Sequence, residues 1–310
     1  MPVAELVDGT PVALPVMVVR GSRPGPTLYL QAGLHGDEAT GIEICRRVLP
    51  TIKPATLRGT VVAVPLANVP AHQSRTRGFL HEERWLIDIN RIFPGTAEGL
   101  LTERIAHVLF SEFVMHSDFS IDLHSALDGC DMGPHAYIDP ADDETGTLAI
   151  REKVALSFGT PYVYYKMRGG KVGTSDMSRS LGAQADGAKR PMVSTDMGES
   201  RRVSPALVPM GVRGVHNAMR VLDMEDGDPV VDAPPRRFSK ITIVHAKRGG
   251  GLRLAVDIGT DLRSGQAIGE IVDVFGETVE RITAPVDAFV LRVMRLASIA
   301  TGAEVVWLAS

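Results

Sequence analysis

Cysteine is scarce in this chain. Cys45 and Cys130 are the only two in 310 residues, and they form no Cys-x-x-Cys pair. A disulfide framework and a cysteine-based zinc site are therefore not expected. A basic excess is also missing. The net charge is -4, so no basic face for nucleic acid is implied. No stretch of about 18 consecutive apolar residues occurs, which argues against a transmembrane helix. The opening "MPVAELVDGTPVALPV" lacks the basic start and unbroken apolar core of a signal peptide, so a cytoplasmic location is the expectation. No repeat array and no low-complexity tract is visible.

What is present is an ordinary globular balance, 44% hydrophobic and 23% charged. A length of 310 residues exceeds one small core and suggests a large domain with a smaller one, or two domains. From about residue 11 to 225, β-rich runs alternate with helical periodicity. The strand candidates are Leu14–Val19, Thr27–Gln31, Thr60–Pro65, Phe119–Leu123 and Met192–Thr195. The helix candidates are Glu38–Leu49, Leu101–Met115 and Ser204–Leu222. In the last of these, Val208, Val212, Val215, Met219 and Leu222 share a face. This alternation predicts an α/β sheet flanked by helices. The acidic, then proline-rich segment Glu225 to Arg237 reads as a linker. It separates an α/β domain at 1–225 from a β-rich domain at 236–310, with 226–235 between them. In the second part, short apolar runs such as "ITIVHA", "AFVLRVM" and "EVVWLA" recur between glycine-marked turns without helical period.

In open α/β sheets, ligands bind beyond the carboxyl ends of the strands. Four strand candidates end at polar groups. Thr27–Gln31 leads to His35 and Glu38 in "GLHGDE", and Thr60–Pro65 leads to Asn68. Phe119–Leu123 ends at His124, and Met192–Thr195 ends at Asp196 with Glu199 beyond. If the strands are parallel neighbours, these groups converge. Two imidazoles and one carboxylate with a fourth position open make a catalytic zinc set. Gly33 and Gly36 would allow a sharp turn that points His35 inward. A lone His-x-x-Glu is also a common solvated turn, and a histidine ending a strand is often structural. The other seven histidines have no usable spacing. "GGKVGTS", Gly169 to Ser175, fails as a phosphate loop, because Val172 follows the lysine; it reads as a flexible loop. No Gly-x-Ser-x-Gly elbow appears.

With "GLHGDE", "IDLHSA" and "DINRIFPG" together, the chain resembles the succinylglutamate desuccinylase and aspartoacylase family, relatives of the zinc carboxypeptidases. The likeness covers most of the chain, with three blocks in the right order. It implies a zinc-carboxypeptidase-like mixed sheet and one zinc ion (Zn2+) per subunit on His35, Glu38 and His124. It implies that Asn90 and Arg91 hold the carboxylate of an amino acid, a task that suits the planar guanidinium fork. Arg77 stands where the family has an arginine that polarises the scissile carbonyl, with Arg75 a close competitor. The chain departs from the family at the general base. The family has glutamate in Glu-x-Gly; here Asp196 takes that place, one methylene shorter, and Glu199 lies three residues on. The β-rich tail resembles a lipoyl/biotinyl-like barrel. A carrier role needs a lysine, and none occurs from Gly249 to Ser310, so a lid or wall beside the site is expected. The resemblance implies a zinc-dependent amidohydrolase that deacylates an N-acyl amino acid, with acetyl or succinyl as the acyl group. An acetylated diamino acid, as in ectoine breakdown, is one such substrate. Two other readings are a carboxypeptidase on short peptides and a non-catalytic homologue that keeps zinc and ligand. Homo-oligomerisation is left open.

Overall fold

The computed structural model describes residues 1–82, 88–138, 146–166 and 176–310. Its main body is an eight-stranded mixed sheet. In spatial order the strands are Arg236–Phe238, Tyr162–Tyr165, His135–Ile138, Met192–Asp196, Phe119–His124, Arg23–Ala32, Arg58–Val64 and Met17–Arg20. The four central strands run parallel, and they contain the four candidates read as ending at polar groups. After Arg23–Ala32 the chain pairs Arg58–Val64 on one side and then returns to place Phe119–His124 on the other. The strand order therefore reverses there, and such a switch point opens a crevice at the carboxyl ends.

The central strands alternate between two covered faces, as period-two geometry requires. Leu28, Leu30, Ile121 and Leu123 pack on one face under helices Ala39–Val48, Leu148–Ser157 and Val208–Val221. Tyr29 and Val64 pack on the other, with Ile105, Leu109 and Phe113 of the segment 101–114. That segment is α-helical over Leu101–Val108 and continues as a π-helical turn over Leu109–Val114. On this second face, Gln31 and Asp122 interrupt the apolar pattern although both are buried. Tyr29 Oη donates to Gln31 at 2.7 Å, and Gln31 Nε2 donates to Asp122 Oδ1 at 2.9 Å. A polar chain thus leads through the sheet toward its carboxyl end.

Several elements escape the sequence reading. The strands His135–Ile138 and Tyr162–Tyr165 extend the sheet, and Leu148–Ser157 and Leu181–Gly187 are helical. The first expected strand shifts to Met17–Arg20, while Pro11–Ala13 pairs with Pro2–Glu5 in a separate hairpin. The glycine- and lysine-bearing loop Gly169–Ser175 lies outside the described residues.

Beyond residue 240 the chain forms two further four-stranded sheets, one of which gains a fifth strand from Cys130–Met132, around a core that includes Ile268, Ile271, Val290 and Leu308. Strands join this part to the main body in both directions. Arg236–Phe238 pairs parallel with Tyr162–Tyr165 at the edge of the main sheet. Cys130–Met132 pairs antiparallel with Ala288–Met294 of the later sheet. Phe238, Phe289, Tyr162 and Tyr164 stack where the two meet, with ring centroids 4.8–5.6 Å apart. These pairings fix one sheet over the crevice of the other.

Helix Val208–Val221 lies against Ala39–Val48, the helix that follows Glu38 directly. A Cβ at Gly211 would come within 2.7 Å of Ile44 Cγ1 and closer still to its Cδ1. Overpacking of this kind costs about 1–3 kcal/mol, against a gain of about 1 kcal/mol in helix propensity. Gly211→Ala should lower stability by up to about 2 kcal/mol in urea denaturation. An unchanged or raised midpoint would contradict this packing.

Candidate active site

Gly33 follows the strand Arg23–Ala32 with φ +63, a left-handed conformation that glycine adopts without strain. Gly36 is needed for a different reason. A Cβ there would collide with the main chain of Ala71 and His72, in helix Val69–Ser74. Asn68 caps that helix, its side chain accepting from Ala71 N at 3.2 Å. Asn68 is thus a structural residue of the rim. The turn carries His35 and Glu38 back over the sheet. Ala32 lies in register with Leu123 on the neighbouring strand, so His124 emerges beside them.

His35, Glu38 and His124 are all buried, and they offer ligand atoms that lie within 4.8 Å of one another. His35 Nδ1 is 2.7 Å from Glu38 Oε1, and His124 Nδ1 is 2.7 Å from Glu38 Oε2. The opposite nitrogens also face carboxylates: His35 Nε2 is 3.1 Å from Asp88 Oδ1, and His124 Nε2 is 2.8 Å from Asp122 Oδ2. The Ser125 main chain donates to Glu38 Oε2 at 3.2 Å. Burial alone would raise the Glu38 carboxyl, but the two histidines hold it far below the ordinary carboxylate range. Burial disfavours a charged His124, yet Asp122 and Glu38 push the ring well above its ordinary value.

This donor set fits a divalent cation. Each imidazole presents one nitrogen toward Glu38 and has the other oriented by an aspartate, the outer-shell pattern that sets a ligating histidine's tautomer. Two imidazole nitrogens and one carboxylate, all buried, are hard to reconcile with a solvated turn. They match a three-ligand zinc site with room for a fourth partner.

Arg77 stands beside this cluster. Its Nε donates to Asp88 Oδ2 at 3.1 Å, with Nη2 ion-paired to the same oxygen at 3.0 Å, and its Nη1 donates to Glu38 Oε1 at 3.2 Å. Arg75, the other candidate, is the left-handed C-cap of helix Val69–Ser74 and is not among the cleft-lining residues. Asp88 receives the Asn90 main-chain N–H at 2.9 Å and lies 3.5 Å from Arg91 Nη1. Its burial would raise the carboxyl; His35, Arg77 and Arg91 together hold it well below the usual range. Leu181 N donates to Asn90 Oδ1 at 2.7 Å, which leaves the amide NH2 end for a ligand.

The two candidate bases separate clearly. Asp196 is in register with His124 on the adjacent strand and lines the same cleft. Burial raises its carboxyl, and His135 and His124 only partly offset this. Gly198, with φ +78, then turns the chain away. Glu199 ends in an ion pair with Arg202 at 2.7 Å and is not a cleft residue.

One cleft gathers His35, Glu38, His124, Arg77, Asn90, Arg91 and Asp196 around a cavity of about 130 Å³. Sequence reasoning missed a second set around it. Asp122 and Asp88 sat inside quoted motifs, but their roles follow only from the fold. His135, Tyr137 and Tyr164 line the cleft from strands that the reading did not find, and Trp307 and Ile241 reach it from the later sheet. Among the described residues, no helix is long and apolar enough to cross a membrane.

Comparison with known proteins agrees with this geometry. The N-alpha-acetyl-L-2,4-diaminobutyric acid deacetylase of Halomonas elongata is 27% identical over 266 residues, which is 84% of this chain and 75% of that protein. A succinylglutamate desuccinylase/aspartoacylase structure from Rhodobacter sphaeroides aligns with a TM-score of 0.85 at 25% identity, covering 97% of this chain and 90% of that one. The product-bound ectoine utilization protein EutE (DoeB) from Ruegeria pomeroyi shares the fold, with a TM-score of 0.89 at 20% identity over 99% of this chain and 92% of that one. Residues 24–222 match the family model of the succinylglutamate desuccinylase/aspartoacylase catalytic domain, and the chain belongs to that family.

Proposed function

We propose that this chain is a zinc-dependent amidohydrolase that cleaves the amide bond of an N-acyl amino acid, releasing a carboxylic acid and the free amino acid. The convergence of His35, Glu38 and His124 with Asp196 and Arg77 in one cleft carries this reading. Relatives named as a deacetylase and as desuccinylases support the reaction class. One zinc ion would sit on His35, Glu38 and His124, with Asp88 and Asp122 orienting the two imidazoles. When bound, it supplies Lewis acidity toward water and the scissile carbonyl.

The remaining residues divide the work. Arg91 and the Asn90 amide grip the substrate carboxylate. Arg77 has five N–H donors, of which Asp88 and Glu38 take three, and the others lie ready for the carbonyl oxygen as it gains charge. Asp196 accepts a proton from the attacking water and returns it to the leaving amine nitrogen. Its strand pairing with His124 fixes its direction, and this offsets the shorter arm. The later β-sheet forms a wall of the cleft, as a lid of the lipoyl/biotinyl-like type would. That wall favours a small substrate over a long peptide.

Three outcomes test the reading. His35→Ala should lose stoichiometric zinc by metal analysis while keeping a cooperative thermal transition, because the surrounding sheet does not depend on this side chain; full zinc occupancy would refute the ligand assignment. Asp196→Asn should lower kcat by about 10²- to 10⁴-fold with zinc retained, the range expected for a lost general base. Glu199→Gln should stay within about fivefold of the parent, since a partly exposed ion pair is worth roughly 0–1 kcal/mol; the reverse order of damage would give the role to Glu199. Arg91→Lys keeps the charge but loses the bidentate fork. It should lower kcat/KM on N-acyl amino acids by about 10- to 100-fold, as for a lost charge-assisted hydrogen bond. If the parent enzyme hydrolyses the corresponding carboxamides equally well, Arg91 does not read a carboxylate.

A further inference from the structure

The cleft has two unlike linings. Metal-ligand candidates, Arg77, Asn90 and Arg91 come from the main body. The same cleft is also lined by apolar Leu127, Met132, Ile241 and Trp307, the last two from the later sheet. Three of these belong to one sheet surface. Arg292 is in register with Met132 on one neighbouring strand and with Trp307 on the other, so the three side chains form one cross-strand row. Ile243 is in register with Trp307, and Ile241, two residues earlier, shares that face.

Trp307 is held firmly in this row. Its Nε1 donates to Glu304 Oε2 at 2.9 Å. Arg292, itself buried, stacks over the indole with its Cζ 4.4 Å from the ring centroid and pairs with the same Glu304 oxygen at 2.8 Å. One carboxylate thus fixes both the indole edge and the cation against its face. A tryptophan fixed at both edge and face does not yield to a larger ligand as a free aromatic would.

An N-acyl amino acid anchored by its carboxylate and its amide carbonyl has two arms left to place. The amino-acid side chain departs next to the carboxylate. Beside Asn90 the cleft continues into a polar recess, which shares Asn90, Tyr137, Lys166 and Met177 with the cleft and extends to Ser180 and Ser194. That recess suits the amino-acid arm. The acyl arm departs on the other side of the carbonyl, where the apolar wall remains. We infer that Trp307, clamped by Glu304 and Arg292, is the specificity-determining residue that limits the length of the acyl group. Leu127, Met132 and Ile241 complete an apolar surface against which a succinyl carboxylate would lose hydration. The inference rests on the deacylase reading above and names which arm of the substrate meets which wall.

The test compares N-acetyl, N-butyryl, N-hexanoyl and N-succinyl derivatives of L-aspartate, L-glutamate and L-2,4-diaminobutyrate, with the zinc-loaded full chain. The parent should favour acetyl over hexanoyl, and butyryl over succinyl, each by about tenfold or more in kcat/KM, a discrimination that a few methylenes or an unpaired charge can give. Trp307→Ala should raise the hexanoyl-to-acetyl ratio by about tenfold or more, mainly through KM, with the ranking of amino acids unchanged. Trp307→Leu, which keeps an apolar side chain in the row, should shift the ratio in the same direction and stands in if the alanine variant does not fold. An unchanged acyl ranking in a folded variant overturns the inference. So does a change that appears in the amino-acid ranking instead. If the parent hydrolyses none of the compounds, the proposed reaction falls, and calorimetric binding of the same series still reads the wall: the acyl-length limit must then move in the variants.

Discussion

The buried Glu38 carboxylate is the constraint around which this structure is arranged. An isolated carboxylate in such surroundings is too costly to remain charged unless it is paired. Here it faces two imidazole nitrogens, a main-chain N–H and one arm of Arg77. Each of those partners is in turn held by a second carboxylate or by the sheet. Asp122 secures His124 and Asp88 secures His35 and Arg77, while the Tyr29–Gln31 chain secures Asp122 along the same face of the sheet. The result is an alternation of negative and positive or proton-bearing groups across the switch point of the sheet. A divalent cation held by His35, Glu38 and His124 would continue that alternation.

The second requirement is a cover. A crevice at the ends of parallel strands is open by construction, and hydrolysis of a small amide calls for a partly enclosed site. The chain supplies the cover by exchanging strands between its two parts. Arg236–Phe238 lengthens the main sheet, and Cys130–Met132 lengthens the later one. Because Met132 sits in that exchanged strand, in the same row as Arg292 and Trp307, the pairing that joins the two parts also builds the wall of the cleft. The main sheet brings charge and chemistry, and the later sheet brings shape.

Much of this was legible in the sequence, for physical reasons. His124 and Asp196 stood out because each ends a strand candidate, and a polar residue at that point lies at the carboxyl edge where ligands bind. His35 and Glu38 stood out because glycines flank the histidine, and the structure shows why: Gly33 adopts a positive φ and Gly36 meets the next helix. That Asp196 lines the cleft and Glu199 does not was legible only from coordinates, since Gly198 could have turned the chain either way. Asp122 was hidden for a different reason. In "SIDLHSA" it reads as the outward half of an alternating strand, whereas a buried polar chain runs behind it. Trp307 and Ile241 were illegible because only long-range strand pairing places them in one cleft with the zinc candidates. The strands His135–Ile138 and Tyr162–Tyr165 are only four residues long, too short for a period to show.

The central claim, that two imidazoles and Glu38 hold a catalytic zinc ion, is tested most directly by zinc K-edge X-ray absorption on the protein reconstituted with one equivalent of zinc. The account predicts a shell of two imidazole nitrogens with oxygen partners and no sulfur, at full stoichiometry. A sulfur ligand, a shell of oxygens alone, or failure to retain one zinc per chain would contradict it.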